Sequence, residues 1–173
     1  RWSLKPEWDS NRTLSFDADE LVQIQVLNGR VQYLSQLDPV RAKEKTVLTP
    51  PQCFRRDESC QGERLSIAGR TYPWGLGVHA NSELTFRIGK NFKAFHAAIG
   101  VATRMGKRGS VVFHVLGDGK ELYTSPVLKG ANPAPSEIAV PVEGVEELTL
   151  KVTDGGDLDL GDSANWAAAR LTR

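Results

Sequence analysis

Apolar and polar residues alternate with a period of two along much of this chain, and that period predicts strands rather than helices. In residues 82–88, Leu84, Phe86 and Ile88 alternate with Glu83, Thr85 and Arg87, as in a strand buried on one face. Residues 21–27 alternate in the same way. Asn28-Gly29 then tolerates the positive φ angles of a tight hairpin, and residues 30–35 return as the partner strand. A second hairpin joins residues 110–116 to 121–125 across Gly117-Asp118-Gly119-Lys120. Residues 92–101 are apolar on two faces, with Phe95, Ala97 and Ile99 against Phe92, Ala94 and Ala98, which predicts a central strand. Further strands are expected at 64–67, 138–142, 147–153 and 164–172. The last contains Ala167-Ala168-Ala169 but has no room for an amphipathic helical period. Residues 38–62, rich in charge and proline, read as one long ordered loop. Nine or ten short strands between turns predict an all-β fold, a two-sheet antiparallel β-sandwich of jelly-roll-like form.

Composition narrows the function. At 173 residues, 40% apolar and 25% charged, the chain is large enough for one globular domain with its own core. The formal net charge of +1 and the lack of a basic run exclude general binding to nucleic acid or anionic membranes. The expected ligand is therefore neutral or held locally. No apolar run has the length of a membrane-spanning helix, so membrane insertion is not expected. The chain begins at Arg1, as a processed form or an excised piece of a longer protein would.

Three stretches hold candidate chemistry. Residues 69–87 present Tyr72, Trp74, His79 and Asn81 around Gly75 and Gly77. Glycines at alternate positions let a backbone turn tightly or let another group come close. Flat rings beside polar donors suit a sugar, whose C–H faces stack while its hydroxyls seek hydrogen bonds; the bland alternative is a loop whose aromatics cap the core. His79 would either donate to a sugar hydroxyl or pin the loop through a backbone bond. In the second stretch, Asp154, Asp157, Asp159 and Asp162 crowd a glycine-bearing loop ahead of Asn165 and Trp166. Asp154, Asp157 and Asp162 are candidate ligands for a structural calcium ion, against the alternative of a solvated acidic turn. Trp166 is either the core anchor of the last strand or a stacking platform. In the third stretch Cys53 and Cys60 match no zinc spacing, and would close a small disulfide loop in an exported protein. His96 and His114 lie inside apolar strands as structural histidines. No nucleophile elbow, phosphate loop or carboxylate pair stands out, so no enzyme activity and no organic cofactor are expected.

The run GLGVHANSELTFRIG, followed in order by FKAFHAAIGV, RGSVVFHVLGDGKELYTSPVL, VEELTLKVTDGGD and ANWAAARL, resembles the NPCBM family of carbohydrate-binding modules. The resemblance covers about residues 29–173 and leaves 1–28 as an N-terminal extension or edge strand. It implies a β-sandwich that binds a glycan without catalysis, a galactoside-type or other neutral sugar; the candidate contacts read from the residues themselves are Tyr72, Trp74, His79, Asn81, Asn165 and Trp166, of which His79 matches the family's characteristic histidine. It also implies a module linked to other domains of a parent protein in an extracellular, periplasmic or cell-surface setting. Where family members carry DHADW, this chain has Asp162-Ser163-Ala164-Asn165-Trp166, so Ser163 and Asn165 depart from the pattern. The competing expectation is a protein-interaction or structural sandwich domain of a large surface protein.

Overall fold

Strands with one apolar face must bury it against another such face, and two antiparallel six-stranded sheets do so here. A computed structural model describes residues 2–4, 13–17, 30–45 and 54–173. Strands β1 (Trp2–Leu4) and β2 (Leu14–Phe16) pair with each other. The first large sheet runs β14 (Ser136–Pro141), β10 (Ala94–Val101), β16 (Ser163–Thr172), β8 (Gly75–His79) and β5 (Arg55–Arg56), with β3 (Val31–Tyr33) also against β16. The second runs β12 (Lys120–Thr124), β11 (Ser110–Gly117), β15 (Glu147–Asp154), β9 (Ser82–Arg87) and β4 (Arg41–Glu44), with β13 (Leu128–Lys129) also on β11. A short hairpin of β6 (Leu65–Ile67) and β7 (Arg70–Tyr72) forms a separate pair. The all-β sandwich expected from the sequence is the observed fold.

The inner faces of both sheets form one core. Trp166 of β16 sits at its centre, edge-on to Phe113 with ring centroids 4.8 Å apart and tilted against Phe95 at 6.1 Å. Such pairs add about 0.5–1.5 kcal/mol beyond the area they bury. Of its two expected roles, Trp166 takes that of core anchor, with 1% of its surface exposed.

The two sheets meet water differently. In the second, β11 and β15 alternate buried with half-buried positions, as period-two strands with one wet face should. In the first, all five residues of β8 are buried. Its outer face is covered by residues 58–60 and by the β6–β7 hairpin, and glycines let that second layer approach. A Cβ at Gly77 would stand 2.6 Å from the Cys60 amide nitrogen and closer still to the Glu58 carbonyl. A Cβ at Gly100 would stand 2.5 Å from Ile67 Cγ2. Leu65, Ile67, Tyr72, Ala98 and Ala167 make a second small core in this layer.

Several expectations change. Gly75 to His79 is a buried strand, not a bend: its glycines serve close approach rather than a turn. The loop expected at 38–62 contains edge strands β4 and β5, whose charged sequences (RAKE, RR) hide them from a hydrophobic pattern. Residues 21–29 of the first hairpin lie outside the described residues. Of its second arm, Val31–Tyr33 pairs with β16, and Leu34–Gln36 forms a 3-10 turn. The hairpin at 117–120 is present, with Asp118 and Gly119 at φ 50° and 79°.

Among the described strands, eight of the connections between consecutive ones cross from one large sheet to the other. Residues 80–81, 102–109 and 155–162 all cross at one end of the sandwich, because β16 begins there beside His79 and Val101. At the opposite end, the Arg173 amide donates to the Arg30 carbonyl at 3.0 Å, bringing both ends of the segment 30–173 together.

Candidate functional site

The residues expected to bind a sugar do not gather in one place. Trp74 precedes β8 and Asn81 follows it, so five residues of strand separate them, on the order of 20 Å of chain. Trp74 is half-buried, packed 5.9 Å from the Tyr33 ring, and its carbonyl accepts the Ala168 amide at 2.7 Å. Tyr72 belongs to the second core, with Arg70 over its ring at 5.3 Å. His79 is 3% exposed and its Nδ1 donates to the Ala80 carbonyl at 2.5 Å, so of its two expected roles it pins the chain. Asn165 is fully buried, with Nδ2 donating to the Ser66 carbonyl at 3.0 Å. The physical reason for these shifts is the covering layer: residues 55–72, Tyr72 among them, close over the face that His79 and Asn165 were expected to present. Asn81 lies in the connection at the crossing end, where its amide exchanges two hydrogen bonds with Asp154. His96 and His114 bond threonine hydroxyls of neighbouring strands, as structural histidines do.

The acidic loop is sorted by side. Asp162 is fully buried, and its Oδ1 accepts the Ser110 amide at 2.8 Å. Its Oδ2 has no partner. Burial above all, then the charges of Asp157, Asp154 and Asp159, push its carboxyl up to about 7, against the pull of the Ser110 bond. Asp157 accepts the Ser110 hydroxyl at 2.6 Å, and Asp154 accepts the Gly156 amide. Calcium takes six to eight oxygens, several of them carboxylate. Among the described residues no three His, Cys, Asp or Glu side chains are arranged to hold a metal ion. The aspartates as they stand therefore do not fit a calcium site built on their side chains, and the chemistry below involves no metal. Cys60 is a free, buried thiol whose Sγ lies 3.1 Å from Ser163 Oγ, and burial pushes its pKa up. Its expected partner Cys53 lies outside the described residues.

With Asp159 and Asp162 turned inward, Leu158 and Leu160 of the same loop are 55% and 61% exposed. Leu160 and Gly161 then face Arg104, Met105 and Arg108 of the 102–109 connection across an open cleft of about 450 Å³. The two loops meet at its floor, where a Cβ on Gly109 would collide with the Gly161 carbonyl. Small-ligand sites commonly span about 300–1,000 Å³. A second hollow beside Asn81, Glu44 and Lys151 holds about 210 Å³. Sequence reasoning missed the larger cleft, although two leucines interleaved with aspartates on a glycine-bearing loop were its available signal.

Comparison with known proteins bears on this site. A family model, NPCBM/NEW2 domain, matches residues 30–172. Over 116 residues, 66% of this chain, the sequence is 42% identical to a Renibacterium salmoninarum protein provisionally named an endo-alpha-N-acetylgalactosaminidase, and it spans 8% of that protein's length. The fold is similar to CBM51 from Clostridium perfringens GH95 in complex with methyl-galactose. That match has a TM-score of 0.74 and 28% identity, and covers 82% of this chain and 99% of that one. It is also similar to a structure of the M60 catalytic domain with the CBM51-1 and CBM51-2 domains from Clostridium perfringens ZmpB. Here the TM-score is 0.72 and the identity 33%, over 83% of this chain and 15% of that one.

Proposed function

The chain belongs to the NPCBM/NEW2 domain family, and on that premise we propose that it binds a galactose-configured sugar as a non-catalytic module of a larger, exported, glycan-degrading protein. The observation that carries this reading is the likeness, across 99% of its length, to a module solved with methyl-galactose. The partial coverage of the other relatives supports a parent with further domains. Among the described residues no helix is long and apolar enough to cross a membrane.

The sugar contact is assigned to the cleft at the crossing end. Leu160 and Met105 offer apolar surface for the C–H face of a pyranose, and Arg104 and Arg108 offer donors for its hydroxyls. A shallow site of this kind should hold one unit with a Kd on the order of 1 mM.

Amide chemical shifts followed during titration with methyl-galactose test the assignment. Shifts confined to 102–109 and 155–162, and a several-fold weaker Kd in Leu160→Ala, are expected. Shifts centred on Trp74 and Tyr33 would move the contact to that half-buried ring pair. No response to galactosides or other hexoses in folded protein would overturn the sugar-binding reading itself.

A further inference from the structure

The cleft is unusual for a neutral-sugar site in the polar groups it carries. A sugar hydroxyl both donates and accepts, so a neutral sugar is best met by mixed partners, carboxylates and amides among them. The cleft-lining polar side chains here are two guanidinium groups, which only donate. Among the described residues no carboxylate lines the cleft itself. Asp162 and Asp159 are buried, Asp157 is exposed but accepts the Ser110 hydroxyl, and Glu63 is paired with Arg104. Arg108 is exposed and makes no ion pair with any described residue, and Lys107 beside it is likewise exposed and unpaired.

From these donor-only side chains we propose that the cleft recognises an acidic glycan, with the Arg108 guanidinium gripping an anionic substituent while Leu160 and Met105 carry the ring. The inference rests on the sugar-binding reading above and adds the class of sugar. A planar fork of N–H donors matches the paired oxygens of a sulfate ester or a uronic acid carboxylate, and such charge-assisted bonds are about twice as strong as neutral ones. The feeble net charge of the whole chain is no obstacle, because the recognition is local. None of the aspartates of the 155–162 loop lines the cleft: Asp159 and Asp162 are buried, and Asp157, though exposed, accepts the Ser110 hydroxyl.

The test is calorimetric titration of the intact 173-residue chain with a matched set: methyl-galactose, galactose 6-sulfate and galacturonic acid. Each is titrated into the parent, Arg108→Ala and Arg108→Lys. The acidic sugars should bind roughly tenfold tighter than methyl-galactose at low salt, with the advantage shrinking as ionic strength rises. That advantage should collapse towards one in Arg108→Ala and survive only in part in Arg108→Lys, which keeps the charge but loses the fork. The sulfate and carboxylate arms separate the two sources of the anion. Equal binding of neutral and acidic sugars would overturn the inference and leave the sugar-binding reading standing. An acidic preference unchanged in Arg108→Ala would overturn it too, since the grip would lie elsewhere. No binding of any of the three by folded protein would sink both readings together. Arg108 is a solvent-facing turn residue, so its variants should fold, and melting curves check this.

Discussion

The two sheets share one core yet were built to different rules. The sheet of β9, β11 and β15 keeps one face wet, and its strands alternate accordingly. The sheet of β8, β10 and β16 is dry on both faces along β8 and the adjoining halves of β10 and β16, with a second layer of residues 55–72 laid over it and glycines at the points of closest approach. The comparison teaches where a ligand can and cannot go. A face already covered by protein has no room for a sugar, so the burial of His79 and Asn165 follows from the covering layer. On the proposed reading, recognition falls to the loops that cross between sheets at one end.

The largest expected effect tests whether the second layer depends on glycine. Gly77→Ala puts a methyl group against the backbone of Glu58, Ser59 and Cys60, which cannot rotate aside. We expect a loss of about 4 kcal/mol or more and a fall in Tm of about 10 °C or more by thermal denaturation. A variant within a degree or two of the parent would mean that the layer floats on the sheet rather than packing against it.

Next comes pH, acting where Asp162 of the 155–162 connection holds the amide of Ser110 in β11. Its folded carboxyl titrates at about 7 against an ordinary value of 3.8. Below pH 4 both folded and unfolded chains carry the proton and there is no penalty. As pH rises from 4 to 7 the unfolded chain ionises first, so stability falls by at most about 4 kcal/mol and then levels off. Asp162→Asn keeps the acceptor for Ser110 but cannot ionise. In chelator, its Tm advantage over the parent should grow from pH 5 to pH 8. An advantage that does not change with pH would show that Asp162 is solvated in the fold. Repeating the melts with calcium asks whether a cation can take the proton's place on this buried oxygen.

The smallest effect sharpens the contrast between dry and wet faces directly. Ile67→Ala removes a side chain packed into Gly100 under the second layer and should cost about 3 kcal/mol in denaturant unfolding. Thr149→Ala on the wet face removes one hydroxyl contact, 3.0 Å to Thr85, and should cost about 1 kcal/mol or less. Equal costs would erase the distinction drawn between the sheets.

The sequence announced the wet sheet far better than the dry one. Residues 82–88, 110–116 and 147–153 carry their environment in their own alternation, since one face meets water and the other meets Trp166. For β8 no such local record exists: Gly75 and Gly77 look like turn residues, and the backbones that make them necessary, Trp166 and Ala167 for Gly75 and residues 58–60 for Gly77, lie far away along the chain. Edge strands β4 and β5 were hidden by their charges. Of the site, the aromatic and acidic clusters were legible as clusters but not as surfaces. Local crowding cannot tell an aspartate turned inward, such as Asp162, from one turned out. The cleft joins Arg104 and Arg108 to Leu160, more than fifty residues away, and only the crossing of two loops at one end brings them together.

The hydrogen bond between Arg173 and Arg30 has a consequence for how this domain is carried. Chain entering and leaving at the same point makes the sandwich a detachable unit, able to be spliced into a host sequence without parting the segments on either side. Strand β16 runs ten residues from that point towards the cleft, roughly 33 Å. An attachment made at that pole would leave the cleft at the far end, facing away from the host chain.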